Sequence, residues 1–253
     1  MKKLYVLLLA AMLLTLAACL TACSAVPMLS LADDKLQPPD SPAKDTGEKA
    51  DPLPQEWSIR LEQVNKENYA EDDRLLAKGS YQVFQLEPED GGNTLTVTTQ
   101  TADSINRYFE QWRKSQLQFL ADVTEMARTS YAGTNGADPR WEQTEYVYSD
   151  TVTTDYWVGP RLLCVSMYYS SYSGGAHPNS WRLAVSFDLN NGRILSVKDA
   201  TGEEFSALKG RVIDMLKQKI NAAPQEFYTD ALSRISDAVT ESGWYIAKDG
   251  VHF

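Results

Sequence analysis

The side chains able to do nucleophilic or metal chemistry are few in this chain. Its 253 residues hold two histidines, His177 and His252, and three cysteines, Cys19, Cys23 and Cys164. No His-Glu-x-x-His pair, Gly-x-Ser-x-Gly elbow, phosphate-binding glycine loop or dinucleotide fingerprint occurs. A zinc site needs three or four His, Cys or carboxylate ligands at workable spacing, and the histidines and cysteines offer no such set. Aspartate and glutamate total 34, so a carboxylate pair for glycoside hydrolysis can be assembled by counting, but no spacing singles one out. The expected function is binding or sensing, with no catalytic residue, metal or cofactor; a cell-wall hydrolase is the enzymatic alternative. Cys164 lies among Leu162, Leu163, Val165 and Met167, the setting of a small buried hydrophobe rather than a nucleophile with a neighbouring base.

The other two cysteines suggest covalent chemistry of a different kind. Lys2 and Lys3 precede an uncharged apolar stretch over residues 4–16, about 13 residues long. That is short of the roughly 20 needed to span a bilayer and suits the core of a signal peptide. It leads into Leu16-Ala17-Ala18-Cys19 and Leu20-Thr21-Ala22-Cys23, each an aliphatic residue, two small ones and a cysteine. This is the pattern of a lipobox, where small residues admit the backbone to the signal peptidase and the thiol receives a diacylglyceryl group. Cys23, followed by Ser24, is the expected lipidation site and Cys19 the alternative. Several buried acyl chains anchor stably, at about 0.8 kcal/mol per methylene.

Residues 23–54 carry Pro27, Pro38, Pro39, Pro42, Pro52 and Pro54 among small and charged residues, a composition expected to serve as an extended tether. The chain has a formal net charge of −10, and removing residues 1–22 leaves 22 basic against 34 acidic side chains, about −12. Such a surface repels nucleic acid and favours cationic partners, while plain solubility accounts for the same charge.

The elements that would position a site come next. Trp57, Ile59 and Leu61 alternate with polar residues, as in a half-buried strand, and a second strand is expected near residues 81–86. A turn over 89–93 leads to a strand at 95–99. Ile105, Tyr108, Phe109, Trp112, Phe119, Leu120, Val123 and Ala127 then recur at helical spacing, with Thr101 or Asp103 available as a cap. Their aromatic stripe is expected in the core. Beyond Gly133, Gly136 and Pro139, strands are expected at 143–149, 162–169 and 181–189. The last has Trp181, Leu183, Val185, Phe187 and Leu189 on one face and ends in a tight turn at Asn190, Asn191 and Gly192. Helices are expected at 203–220 and 227–239. Residues 244–247 open a final hairpin whose return arm stops after Val251, His252 and Phe253, which reads as a chain lacking its natural C-terminal end. The fold class is therefore α+β, antiparallel sheets with packed helices in two closely associated subdomains.

One segment has the make-up of a recognition surface. Tyr168, Tyr169, Ser170, Ser171, Tyr172 and Ser173 run into Gly174, Gly175, Ala176, His177, Pro178 and Asn179. The glycines permit positive φ, Pro178 removes a backbone donor, and tyrosines beside serines supply rigid rings and adaptable hydroxyls. The candidate contact residues are Tyr168, Tyr169, Tyr172, Ser173, His177 and Asn179, with Gly174, Gly175 and Pro178 shaping the loop. A purely structural loop, with His177 and Asn179 bonding local backbone, accounts for the same residues.

Gly174, Gly175, Ala176, His177, Pro178 and Asn179 after a Tyr-rich strand, with Phe187, Asp188, Leu189, Asn191 and Gly192 beyond, resemble the DUF3298 domain. The preceding strand pair and long helix resemble the DUF4163-type module that usually stands before it. The resemblance divides the chain into a leader (1–22), tether (23–54), DUF4163-like part (55–135) and DUF3298-like part (136–253). It implies an extracytoplasmic, non-enzymatic α+β module. Within that family one relative is the sensing domain of a lysozyme-responsive anti-sigma factor, and another stands before a peptidoglycan deacetylase domain. The implied ligand is a lysozyme-like cationic protein or a cell-wall glycan; a structural envelope-assembly role is the alternative.

Overall fold

The computed structural model describes residues 53–88, 92–134, 136, 138–142, 147–241 and 243–252, all within one compact unit, Gly47–Phe253. The leader, both lipobox cysteines, most of the tether and the expected strand start at 143–146 lie outside the described residues. Strands β1 (Gln55–Tyr69), β2 (Leu75–Glu87) and β3 (Thr94–Val97) are followed by helix α1 (Thr99–Gly133) and a 3-10 turn (Pro139–Glu142). Strands β4 (Tyr148–Val158), β5 (Leu162–Tyr172) and β6 (Asn179–Asp188) come next. Helices α2 (Val197–Thr201), α3 (Phe205–Ala222) and α4 (Ala231–Ala238), with a 3-10 turn at Pro224–Glu226, lead to the short strands β7 (Tyr245–Ala247) and β8 (Gly250–His252).

The main sheet has the order β3-β1-β2-β4-β5-β6, antiparallel except where β2 and β4 run parallel. That parallel pairing, Ala77↔Tyr148 to Tyr81↔Val152, joins the two halves of the chain into one sheet. After Tyr81 the β2–β4 pairing ends, while β1–β2 pairing continues to Glu87. Thr154 N–H donates to the Gln82 side chain at 3.0 Å, and Asn106 of α1 bonds both the N–H and the C=O of Leu86 at 2.8 Å. An asparagine side chain here stands in for a neighbouring strand and keeps the backbone of β2 satisfied.

Helix α1 packs on one sheet face through Ala102, Ile105, Phe109, Trp112, Leu120 and Val123, against Tyr81, Phe84, Leu163, Val165, Met167, Tyr169 and Phe187. Each large apolar side chain so buried contributes about 1.5–3 kcal/mol. The expected stripe is the core, as its periodicity indicates. The cap differs from expectation: Thr98, extended at φ −71° and ψ 156°, accepts from Thr101 N–H at 3.1 Å, so the helix starts a turn earlier than an Asp103 cap would allow.

Among the described residues, the opposite face of β5 and β6 is covered toward Cys164 and Ala184, where Val197, Leu208, Trp244 and Ile246 pack. Burial pushes the Cys164 thiol up, and its sulfur accepts from Ile246 N–H at 3.3 Å. Three expectations change in this region. The strand expected at 143–149 is observed as β4, reaching Val158. The helix expected at 227–239 forms only as α4, because Pro224 first sets a 3-10 turn. The turn at Asn190, Asn191 and Gly192 forms, with Asn190 N–H donating to Asp188 at 2.9 Å, but only one bridge follows, Phe187↔Ile194. The chain then enters α2 through a Ser196–Asp199 capping box.

Candidate ligand-binding end of the sheet

Alternation along β5 separates the tyrosines that the sequence groups together. Tyr168 points outward and is 45% exposed, whereas Tyr169 is 3% exposed. The Tyr169 ring stacks on Trp181, its partner across the strand pair, at 4.9 Å and 9° between planes. Its hydroxyl accepts from Trp112 Nε1 at 2.7 Å, and burial drives its ionisation well above the usual phenol range. Tyr169 is thus a core residue rather than the expected contact residue: its in-facing register buries both ring and hydroxyl. Tyr172 is also largely buried, at 8% exposed. It shapes the loop from behind, donating from its hydroxyl to Gly175 C=O at 3.1 Å while its ring meets Tyr148 edge-on at 6.1 Å.

The β5–β6 loop turns as its glycines suggest. Gly174 and Gly175 have φ of 91° and 107°. A Cβ on Gly174 would also lie 2.6 Å from the Tyr148 hydroxyl, so both backbone conformation and space call for glycine. Ser173 is half-buried; His177, Pro178 and Asn179 are exposed. His177 Nδ1 lies 3.1 Å from Pro178 C=O, the local backbone bond a structural loop would make. Of the expected contact residues, then, Ser173, His177 and Asn179 gather on the loop, Tyr168 stands apart on the outer sheet face, and Tyr169 and Tyr172 lie inside.

Aromatic packing ties this loop to a second turn. Tyr172 meets Tyr148; Tyr148 stacks on Trp141 at 5.8 Å; Trp141 meets Tyr131 edge-on at 5.4 Å. The Tyr131 hydroxyl donates to Asp72 at 2.6 Å and, as the leading cause, holds that carboxyl below its ordinary range. Asp72 sits in the β1–β2 turn with Glu71, Asp73 and Arg74, and Glu67 lies just before it on β1. Arg74 donates to Trp141 C=O at 3.1 Å, fixing the turn to the same cluster. Because β2 and β4 are parallel, the β1–β2 turn and the β5–β6 loop both lie at one end of the sheet. A carboxylate-rich turn and a Tyr/Ser/His loop are thereby held on one aromatic frame, a surface able to contact a basic partner.

One buried group escaped sequence reading. Asp150, on β4, is fully buried at 0% exposed, and neither carboxylate oxygen has a hydrogen bond of good geometry. Burial pushes its pKa up from 3.8 to about 6, only partly opposed by the nearby Tyr81 and Ser171 hydroxyls. It lies opposite Gly79 and Ser171 in the strand pairings. An aspartate among threonines and tyrosines carries no signal of this depth; only the strand register shows it.

Among the described residues no group of three or more His, Cys, Asp or Glu could hold a metal ion, and no helix is long and apolar enough to cross a membrane. No protein-family model matches the sequence, and no curated protein matches it. The solved structures that match include two DUF3298 proteins. A DUF3298 family member from Bacteroides fragilis NCTC 9343 matches with a TM-score of 0.51 at 17% identity, over 77% of this chain and 81% of its own. A DUF3298 family protein from Pseudomonas aeruginosa PAO1 matches with a TM-score of 0.38 at 13% identity, over 70% and 71%. The protein is an α+β domain, and its fold is similar to that of the Bacteroides DUF3298 protein, the level at which that part of the resemblance is supported.

Proposed function

We propose that the chain is a lipid-anchored, extracytoplasmic binding or sensing domain, without catalytic activity, for a cationic protein of the lysozyme kind. The carrying observation is the shared end of the sheet, which holds both the turn with Glu67, Glu71, Asp72 and Asp73 and the loop bearing Ser173, His177 and Asn179. The net charge of about −12 beyond residue 22 adds long-range attraction for a basic partner. The lipobox at Cys23, with Cys19 as alternative, supports anchoring outside a membrane through the Pro-rich tether.

Charge reversal in the acidic turn tests this reading. Glu71→Lys with Asp73→Lys, in the detergent-extracted full chain, should weaken lysozyme binding by at least about tenfold, mostly through association rate. The pair should lower the thermal unfolding midpoint only slightly, since both side chains are exposed and the added cost is that of Lys in place of Asp at the left-handed φ of 62° of residue 73. Unchanged binding would reject the turn as the contact. A second reading, a cell-wall glycan as ligand, is favoured by the rows of hydroxyl and amide side chains on the outer face of the sheet.

A further inference from the structure

The outer face of the main sheet, opposite α1, carries an ordered polar surface that the turn-end reading does not use. Strand register aligns Asn65, Ser80, Thr151, Ser170 and Ser180 in one row across β1, β2, β4, β5 and β6. The next row toward β7 contains Thr153, Tyr168 and Arg182, also directly opposite one another, with Gln63 and Gln82 continuing it on β1 and β2. Asn65, Ser180, Thr153, Tyr168 and Arg182 are exposed, and Ser80, Thr151 and Ser170 are half-buried. At strand spacing, five strands make a platform about 19 Å across.

Its chemistry is that of hydroxyls and amides around one ring. Gln63 donates to Ser80 at 3.0 Å and to Asn65 at 3.1 Å, and the Ser80 hydroxyl donates to Asn65 at 3.0 Å, so the amides are held in place. Tyr168 offers an open aromatic face in the middle. The Arg182 guanidinium lies 5.2 Å from the centre of the Tyr245 ring, which itself stacks on His252 at 4.7 Å, so the β7–β8 hairpin raises a wall along one side. Glu67 and Lys78 face each other across β1 and β2 at the far margin. In a chain of net charge −10, the central rows bear no carboxylate.

We propose that this face is a platform for a neutral polysaccharide strand of the cell wall. A pyranose presents an apolar C–H face that packs on an aromatic ring and a rim of hydroxyls that both donate and accept. Asn, Gln, Ser and Thr match that rim because each can do both. A basic protein would draw little from these rows, whose nearest carboxylates, Asp155 and Glu67, stand at the margins, and an apolar partner would strand their polar groups. The platform develops the glycan reading and rests on the domain standing in the cell envelope.

The test is co-sedimentation of the detergent-extracted full chain with insoluble peptidoglycan stripped of anionic polymers, at low and at high salt. The chain should still sediment at high salt, because every residue of the two rows except Arg182 is uncharged. Tyr168→Ala and Ser170→Arg should each weaken retention by about tenfold, while Tyr168→Phe keeps the ring and retains binding. Thr153→Arg, at a fully surface position, serves as a second blocking variant if Ser170→Arg lowers the unfolding midpoint. Failure of the parent chain to sediment, or equal retention of folded Ser170→Arg and Thr153→Arg, would overturn the platform. Lysozyme binding in the same buffer separates the outcomes: its presence without sedimentation removes the platform alone, whereas its loss with sedimentation intact removes the turn-end reading alone.

Discussion

Asp150→Asn should make the protein more stable at neutral pH and hardly change it in acid. The wild-type carboxyl ionises near 3.8 in the unfolded chain and at about 6 in the fold, where burial opposes the charge. A raised carboxyl pKa means that the contribution of this group to stability is whole below about pH 4 and declines as pH rises through about 6. With each unit equal to 1.36 kcal/mol, the loss amounts to about 3 kcal/mol. The amide cannot ionise, so the variant escapes that loss, while any packing difference between amide and acid is the same at every pH. The stability of Asp150→Asn minus that of the parent should therefore rise by about 3 kcal/mol between pH 4 and pH 7. Urea unfolding followed by tryptophan fluorescence across that range measures the difference directly. Stability curves that run parallel across the range would refute the argument, showing that the Tyr81 and Ser171 hydroxyls satisfy the carboxylate fully in the fold.

Tyr169→Phe should cost about 1–3 kcal/mol, since it leaves Trp112 Nε1 buried without its acceptor, yet leave ligand binding unchanged; paired unfolding and binding titrations check both halves. Gly174→Ala should destabilise by about 1–2 kcal/mol, because its φ of 91° and the Tyr148 hydroxyl both oppose a Cβ, and lysozyme affinity should fall with the loop shape. Denaturant midpoints no different from the parent would show that the loop relaxes freely. Cys23→Ser should shift the protein out of the detergent-extractable membrane pool, read by fractionation, whereas Cys19→Ser should not; the opposite pattern would move lipidation to Cys19.

Much of the fold was legible because long periodic runs leave little choice. The stripe of α1 and the alternation of β6 predicted their buried faces residue by residue. The reach of β4 to Val158 was not legible, since Thr151, Thr153 and Asp155 leave no apolar alternation to extend the run beyond Ser149. The five-residue α2 is set by a Ser196–Asp199 cap rather than by periodicity, and so left no stripe to read. For the candidate site, composition found the loop and its glycines but could not assign faces: Tyr168 and Tyr169 are neighbours in sequence and opposites in the sheet. Neither the partnership of the β1–β2 turn with the β5–β6 loop nor the hydroxyl row across five strands exists in any local stretch. Both follow from the parallel β2–β4 pairing, which no local pattern encodes.

Calorimetric titration of lysozyme into the detergent-extracted full chain, at low and at high salt, tests the central claim most directly. Micromolar or tighter binding that weakens as salt rises is the predicted result, as expected for a basic protein meeting the carboxylates around Asp72. Absence of binding at low salt would contradict the claim and leave the polar sheet face as the surface to pursue.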